Sequence, residues 1–268
     1  MRILSLNAWG GRLHDALIPH LAAADPDVLC LQEVVRTPAS SSPWLAYRDG
    51  GADLPQRANL FQEVAAVLPG HWAVFCPAAR GDLFDDDGRA IPSEWGLATF
   101  IRRTLPVIGQ AQGFVHGDFT PHGWGGHPRA RNAHVVRLFD DALDGTVTIA
   151  QMHGLRDPAG KGDTPARLAQ ALALAALVGR VHRPGDRLVV CGDFNVLPGS
   201  ETFSILGALG LADLVTTRGH TDTRTSWYTK TPRFADYMLV DAGTDVRSFD
   251  VVAAPEVSDH RPLLLDLG

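Results

Sequence analysis

Short apolar runs recur along the chain, and several stop at a polar side chain suited to metal ligation or proton transfer. In RLVVCGDFN, a run typical of a buried strand breaks directly into Asp193 and Asn195. A buried acid and amide are costly unless they have partners. The same pattern recurs in three other runs, which end at Asn7, Glu33 and His153. Strand ends meet at one rim of a sheet, where ligands commonly bind, so these side chains together predict a site.

The apolar runs alternate with helical segments over the whole chain. The strand-like runs include RILSLN, DVLCLQE, GTVTIAQMH and RLVVCGDF, and a long helix is predicted to begin near Thr164 and Pro165. Roughly ten strands are expected, as hairpins mixed with crossover helices. Two sheets packed face to face and covered by helices satisfy that pattern. With 268 residues and no composition shift, residues 1–268 are expected to form a single domain.

Three long stretches lack a clear period: 37–55, 76–94 and 113–132. Loops of that length tend to be functional, so we expect them to wall a substrate cleft. In the last of them, Arg129 and Arg131 would either neutralise a substrate phosphate or be solvated. The same stretch contains three histidines, which are His116, His122 and His127. Their spacing matches no familiar zinc site, so we favour loop residues or substrate contacts over zinc ligands.

The overall charge limits the classes of partner. The net charge is −6. Binding to duplex nucleic acid depends on neutralisation of its phosphates, so this charge does not favour such a partner, although it does not exclude one. No apolar segment is long enough to span a membrane, and the first residues lack the pattern of a signal peptide. We therefore predict a cytoplasmic protein, with a monomer as the expectation.

The polar strand ends suit metal-assisted attack of water on a phosphate ester. Glu33, Asn7 and Asp259 offer hard oxygen ligands, which Mg²⁺ or Mn²⁺ prefers over zinc. Such an ion would neutralise a phosphoryl oxygen and the charge on the leaving group. Asp193 could orient or deprotonate the attacking water, and Asn195 could fix its geometry through an amide hydrogen bond.

Two histidines are predicted to contact the reacting phosphate. His260, held in one tautomer by Asp236, could stabilise the transition state through a charged hydrogen bond. His153 could do the same from the other side of the phosphate. Glu94 is the best candidate to orient His153, because it stands just before the strand-like run GLATFIR.

The motifs LSLNAW, LCLQE, MH, CGDFN, DYMLV and SDHRP occur in the order found in the endonuclease/exonuclease/phosphatase superfamily, which the chain resembles over nearly its full length. The resemblance implies an α/β fold of the deoxyribonuclease I type, a four-layer sandwich of two packed mixed sheets flanked by helices. It implies a divalent-metal phosphoesterase site in which Asn7, Glu33 and Asp259 lie at the metal. The remaining site roles fall on His153, Asp193, Asn195, the pair Asp236 and His260, and Glu94.

Two departures separate the chain from the abasic-site endonucleases of that superfamily. Trp9 stands where those enzymes have an acid, and His153 stands where they have a tyrosine. The favoured function is therefore a metal-dependent phosphodiesterase that hydrolyses a small-molecule or lipid-headgroup ester by direct water attack. The alternatives are a metal-dependent nuclease acting on DNA or RNA, and a non-catalytic binding module that retains the fold.

Overall fold

The computed structural model describes residues 1–268, which form fourteen strands and five α-helices. The strands are β1 (Arg2–Asn7), β2 (Val28–Arg36), β3 (Trp44–Asp49), β4 (Ala52–Arg57), β5 (His71–Phe84), β6 (Ala90–Arg102), β7 (Val107–His116), β8 (Arg131–Asp140), β9 (Gly145–His153), β10 (Arg187–Asp193), β11 (Leu211–Asp213), β12 (Asp236–Asp241), β13 (Val246–Val251) and β14 (Leu263–Leu267). The helices are α1 (His14–Ala24), α2 (Leu60–Val67), α3 (Pro165–Val181), α4 (Glu201–Gly207) and α5 (Leu214–Thr217). No helix is both long enough and apolar enough to cross a bilayer.

The strands form two mixed sheets, as predicted. The eight-stranded sheet has the order β13-β14-β1-β2-β6-β5-β3-β4, and the six-stranded sheet has the order β11-β12-β10-β9-β8-β7. The predicted four-layer α/β sandwich is therefore confirmed. The alternation of side chains along a strand explains the layers. On β1, Ile3 faces the core between the sheets, whereas Leu4 packs with Leu17 of α1 and Leu60 of α2 on the outer face.

The pairing of the strands brings the predicted polar ends to one rim. β1 runs parallel to β2 and β9 runs parallel to β10, so each pair ends on the same side. β12 runs antiparallel to β10 with Asp236 directly opposite Asp193. The start of β12 therefore meets the ends of β9 and β10.

Two of the three stretches predicted as irregular are strands, and those predictions are wrong. Within 37–55, β3 and β4 form a hairpin, and within 76–94, β5 and β6 extend far beyond the apolar runs that marked them. In the second hairpin, buried positions are held by Gly81 and Ser93, and the outer end of the first is exposed at Arg48 and Asp49, so neither shows the apolar pattern of a core strand. The turn between β3 and β4 consists of Gly50 and Gly51, both with positive φ, which is the type of backbone that two-residue hairpins need. The sequence analysis also missed β7 and β11.

Candidate active site

Asp193 lies at the centre of the candidate site. It ends β10 and is 2% exposed. Asn195 donates its backbone N–H to Asp193 Oδ1 at 3.0 Å, and Asn7 Nδ2 donates to Asp193 Oδ2 at 3.0 Å. Because both carboxylate oxygens accept hydrogen bonds, the orientation of Asp193 is fixed. Asn195 itself has a positive φ of 53°, a strained backbone of the kind that clusters at functional sites.

Two buried histidines approach Asp193 from different strands. His153 Nε2 and His260 Nε2 each lie 3.7 Å from Asp193 Oδ2. That separation is too long for a hydrogen bond, so the rings face Asp193 without being bonded to it. His153 Nδ1 is also buried without a hydrogen-bond partner. A buried ring nitrogen without a partner is rare in a core.

His260 is held between a carboxylate and a guanidinium. Its Nδ1 lies 2.8 Å from each oxygen of Asp236, and Arg224 donates to its Nε2. Because a guanidinium can only donate, Nε2 must be the accepting nitrogen and Nδ1 carries the proton towards Asp236. Burial, together with the nearby Arg224, lowers the pKa of His260 to about 4, so the ring is neutral near pH 7. The predicted pairing of Asp236 with His260 is therefore present in the structure.

Glu33 is directed towards the site by an irregularity in β2. The register between β2 and β6 shifts between Leu31 and Val34, and Glu33 has a φ of 54°. Bulges of this type turn a side chain out of the regular alternation. Burial and the neighbouring carboxylate of Asp259 raise the pKa of Glu33 to about 7, with Asp193 adding to the effect. His153 Nε2 lies 3.8 Å from Glu33 Oε1, which places Glu33 at the same site as Asp193.

The oxygens at this rim fit a hard divalent cation. Burial raises the pKa of Glu33, the nearby carboxylates of Asp259 and Asp193 raise it further, and a cation would relieve that repulsion. Asn7 donates its amide nitrogen to Asp193, and its Oδ1 accepts from the Trp9 N–H at 3.0 Å. The second lone pair of Oδ1 remains available for a cation. A second set of donor atoms lies within 4.8 Å of one another on Asp193, Asp236 and His260. In that set, Asp236 and His260 already bond each other, so the Glu33 side suits an ion better.

Glu94 does not orient His153, and that prediction is wrong. Arg36 on β2 stands directly opposite Glu94 on β6 and donates to its carboxylate at 2.6 Å. Successive side chains of a strand point to opposite faces. Trp95 is the residue that faces His153, with 5.3 Å between the ring centroids, so its neighbour Glu94 points away.

The fold brings three cations to the site, of which the sequence analysis missed Arg224 and Lys161 and left two alternatives for Arg131. Arg224 is 5% exposed and also donates to Asp259 Oδ2 at 3.0 Å. Arg131 is 5% exposed and donates to Gly154 O at 2.9 Å, so the alternative of a solvated side chain is wrong. Lys161 lies close enough to Asp193 and Asp236 for both carboxylates to act on its pKa. None of the three stands at the end of an apolar run, which was the signal that identified the other residues.

Comparison with known proteins decides the family. Residues 4–260 match the Endonuclease/Exonuclease/phosphatase family. The chain belongs to this family. Members of the family hydrolyse phosphate esters.

The relatives of the chain act on different esters. An inositol phosphosphingolipids phospholipase C of Schizosaccharomyces pombe is 28% identical over 230 residues, which cover 80% of this chain and 45% of that protein. The chain thus spans less than half the length of this curated relative. Among solved structures, a family member from Bacteroides vulgatus aligns with a TM-score of 0.69 at 19% identity, covering 100% of this chain and 98% of the other. A mannosyl-6-phosphatase from Bacteroides thetaiotaomicron aligns with a TM-score of 0.67 at 16% identity, covering 100% and 99%. At these identities the two structures support the fold alone.

Proposed function

We propose that the chain is a divalent-metal-dependent phosphodiesterase, using Mg²⁺ or Mn²⁺, that cleaves a small-molecule or lipid-headgroup ester by direct attack of water. The observation that carries the proposal is the approach of two histidines to one fixed carboxylate, Asp193. His153 and His260 leave a gap of 3.7 Å on either side of Asp193 Oδ2. A phosphoryl group placed against these rings would meet nitrogen atoms on two sides, which can donate to its oxygens once the rings are protonated, and a water-orienting carboxylate between them.

Glu33, Asn7 and Asp259 would hold the cation. When bound, the ion would act as a Lewis acid on a phosphoryl oxygen and on the leaving group. Asp193 orients the attacking water and accepts its proton, while Asn7 and the Asn195 backbone keep the carboxylate in place.

The cationic side chains stabilise the charge that grows on the phosphoryl oxygens. Arg224 and Arg131 are buried, where an electrostatic interaction is stronger than in water. His260 accepts from Arg224 at Nε2 in this structure. When a phosphoryl oxygen approaches, the guanidinium can turn its donors towards it, while Asp236 keeps the imidazole oriented.

The substrate class follows from charge and from the relatives. The net charge of −6 disfavours a long polyanion, and the match to a phospholipase C agrees with a phosphodiester. A nuclease would need a positive path for several phosphates. The described cations gather around one phosphate instead.

The test is hydrolysis of bis(4-nitrophenyl) phosphate by EDTA-treated protein before and after addition of Mn²⁺ or Mg²⁺. We expect turnover only with added metal and a large loss in His260→Ala. Metal-independent turnover, or full turnover in His260→Ala, would contradict the proposal. Higher kcat/KM on an oligonucleotide than on any small diester, with salt-sensitive binding, would show a nuclease instead.

A further inference from the structure

A groove of about 360 Å³ opens beside the candidate active site. We call it the tryptophan groove; its lining includes Trp44, Trp227, Arg12, His14 and Glu256. Trp227 is 54% exposed, which is unusual for so large an apolar side chain. Cavities that hold small molecules occupy about 300–1,000 Å³ and combine aromatic walls with a few polar groups, and the tryptophan groove has both properties.

The chain connects the tryptophan groove directly to the site. Trp227 follows Arg224 by three residues, and Thr225 between them donates its backbone N–H to the Asp259 carbonyl at 3.1 Å. On the other side, Trp9 lies 6.2 Å from Trp227 between ring centroids. The same Trp9 donates its backbone N–H to Asn7 Oδ1. A group esterified to a phosphate at Asp193 would therefore extend towards these two tryptophans.

The polar lining limits which group fits. Arg12 stands over the Trp9 ring at 4.0 Å and lines the groove together with the carboxylates of Asp15 and Glu256, so the lining offers both donors and acceptors. Glu256 accepts hydrogen bonds from Ser226 N and Oγ at 2.7 Å and 2.6 Å. Each of its oxygens keeps a lone pair that can accept from a hydroxyl group. A hydrocarbon chain could not hydrogen-bond Arg12 or Glu256, whereas hydroxyl groups can bond both.

We propose that the tryptophan groove binds a polyhydroxylated ring, a cyclitol or a sugar, that is esterified to the phosphate at the site. The C–H face of the ring would pack on Trp227 and its hydroxyl groups would donate to Glu256 and accept from Arg12. The proposal rests on the proposed phosphoesterase function, since the phosphate positions the ring.

The test compares inhibitors that share a phosphate and differ in the attached group. Inhibition constants are measured against Mn²⁺-dependent hydrolysis of methyl 4-nitrophenyl phosphate, for methyl phosphate, inositol 1-phosphate, glucose 6-phosphate and phosphocholine. In the unmodified protein, at least one polyol phosphate should bind about tenfold tighter than methyl phosphate, and Trp227→Ala should reduce that ratio to about two. Preference for inositol 1-phosphate would indicate a lipid headgroup, and preference for glucose 6-phosphate a sugar phosphate.

Trp72→Ala is the matched control. Trp72 is 53% exposed. It pairs with Ile101, and Ile101 pairs with Val28 at the start of β2. Trp72 therefore lies towards the end of β2 that is away from Glu33. This variant should keep every inhibition constant. The proposal is overturned if Trp227→Ala keeps the ratio of the inhibition constants of methyl phosphate and the polyol phosphate. It is also overturned if phosphocholine binds more tightly, relative to methyl phosphate, than either polyol phosphate does. If methyl 4-nitrophenyl phosphate is not hydrolysed, the proposed function fails. The groove is then tested by quenching of tryptophan fluorescence with inositol 1-phosphate, which Trp227→Ala should abolish and Trp72→Ala should not.

Discussion

Replacing Arg224 by Gln should change metal affinity and activity in opposite directions. In the structure, the Arg224 guanidinium donates to both Asp259 and His260. It therefore neutralises a carboxylate that would otherwise face the cation. Without that guanidinium, Asp259 and Glu33 offer more negative charge to a divalent ion, whereas the reacting phosphate loses a positive partner.

The size of each effect can be worked from the contact of 3.0 Å between Arg224 and Asp259. Two opposite charges about 4 Å apart interact by about 4 kcal/mol at an effective dielectric constant of about 20. Rehydration of the freed carboxylate offsets much of this, so about 1–2 kcal/mol should appear as metal affinity, or about 5–30-fold tighter Mn²⁺. The loss of one donor to the transition state should lower kcat/KM by about 10²–10³-fold.

The assay for Arg224→Gln is calorimetric titration of metal-free protein with Mn²⁺, together with kcat/KM on bis(4-nitrophenyl) phosphate at saturating metal. Arg224→Lys keeps the charge and should bind Mn²⁺ much as the unmodified protein does. Arg48→Gln is the control, because Arg48 makes an exposed ion pair with Asp53 at 3.2 Å near the turn of the β3–β4 hairpin. Weaker Mn²⁺ binding in Arg224→Gln, or unchanged kcat/KM, would refute the reasoning.

Three further predictions concern other residues of the fold and the site. Glu33→Gln should abolish the increase in Tm that Mn²⁺ produces. The Tm of the metal-free variant should not fall, because the substitution removes one of the crowded carboxylates. Differential scanning fluorimetry with and without Mn²⁺ checks both expectations. Asp236→Asn should lower kcat by about 10²-fold or more, since an amide can leave His260 in the wrong tautomer; an unchanged kcat would exclude the proposed pairing. Burial lowers the pKa of His134 to about 4, below its ordinary value of about 6.5, so the neutral ring stabilises the protein above pH 6.5 and that stability is lost as the pH falls towards 4. In urea unfolding, the loss of stability over this pH range should be about 3 kcal/mol smaller in His134→Gln than in the unmodified protein, whereas the same pH dependence in both proteins would contradict it.

The fold could be predicted largely because its core strands carry an apolar pattern. β1, β9 and β10 begin within a residue of their predicted starts, and α3 begins at Pro165 after the predicted cap, Thr164. The two hairpins could not be predicted in the same way, because buried positions such as Gly81 and Ser93 are filled by small side chains that carry no apolar signal. The pair Gly50 and Gly51 was the available signal for one of them.

The candidate site could be predicted where its residues end strands of the core. Asp193 and His153 meet at one rim because β9 and β10 are parallel and end together. Glu33 reaches them from the other sheet at the irregularity in β2, which continues to Arg36. Arg224 could not be found in this way, because it lies in an irregular segment and reaches the site only through tertiary contacts with Asp259 and His260. For Glu94 the error has a different origin: local spacing does not say which face of β6 a side chain occupies.

The most direct test of the account is the metal dependence of catalysis in Asp193→Asn. Asn retains the shape of the side chain and can still accept from Asn7, but it cannot accept a proton from water. With Mn²⁺ bound, we expect Asp193→Asn to lose about 10³-fold or more in kcat on bis(4-nitrophenyl) phosphate while its metal-dependent rise in Tm persists. Unreduced turnover in Asp193→Asn would show that the chemistry takes place elsewhere in the molecule.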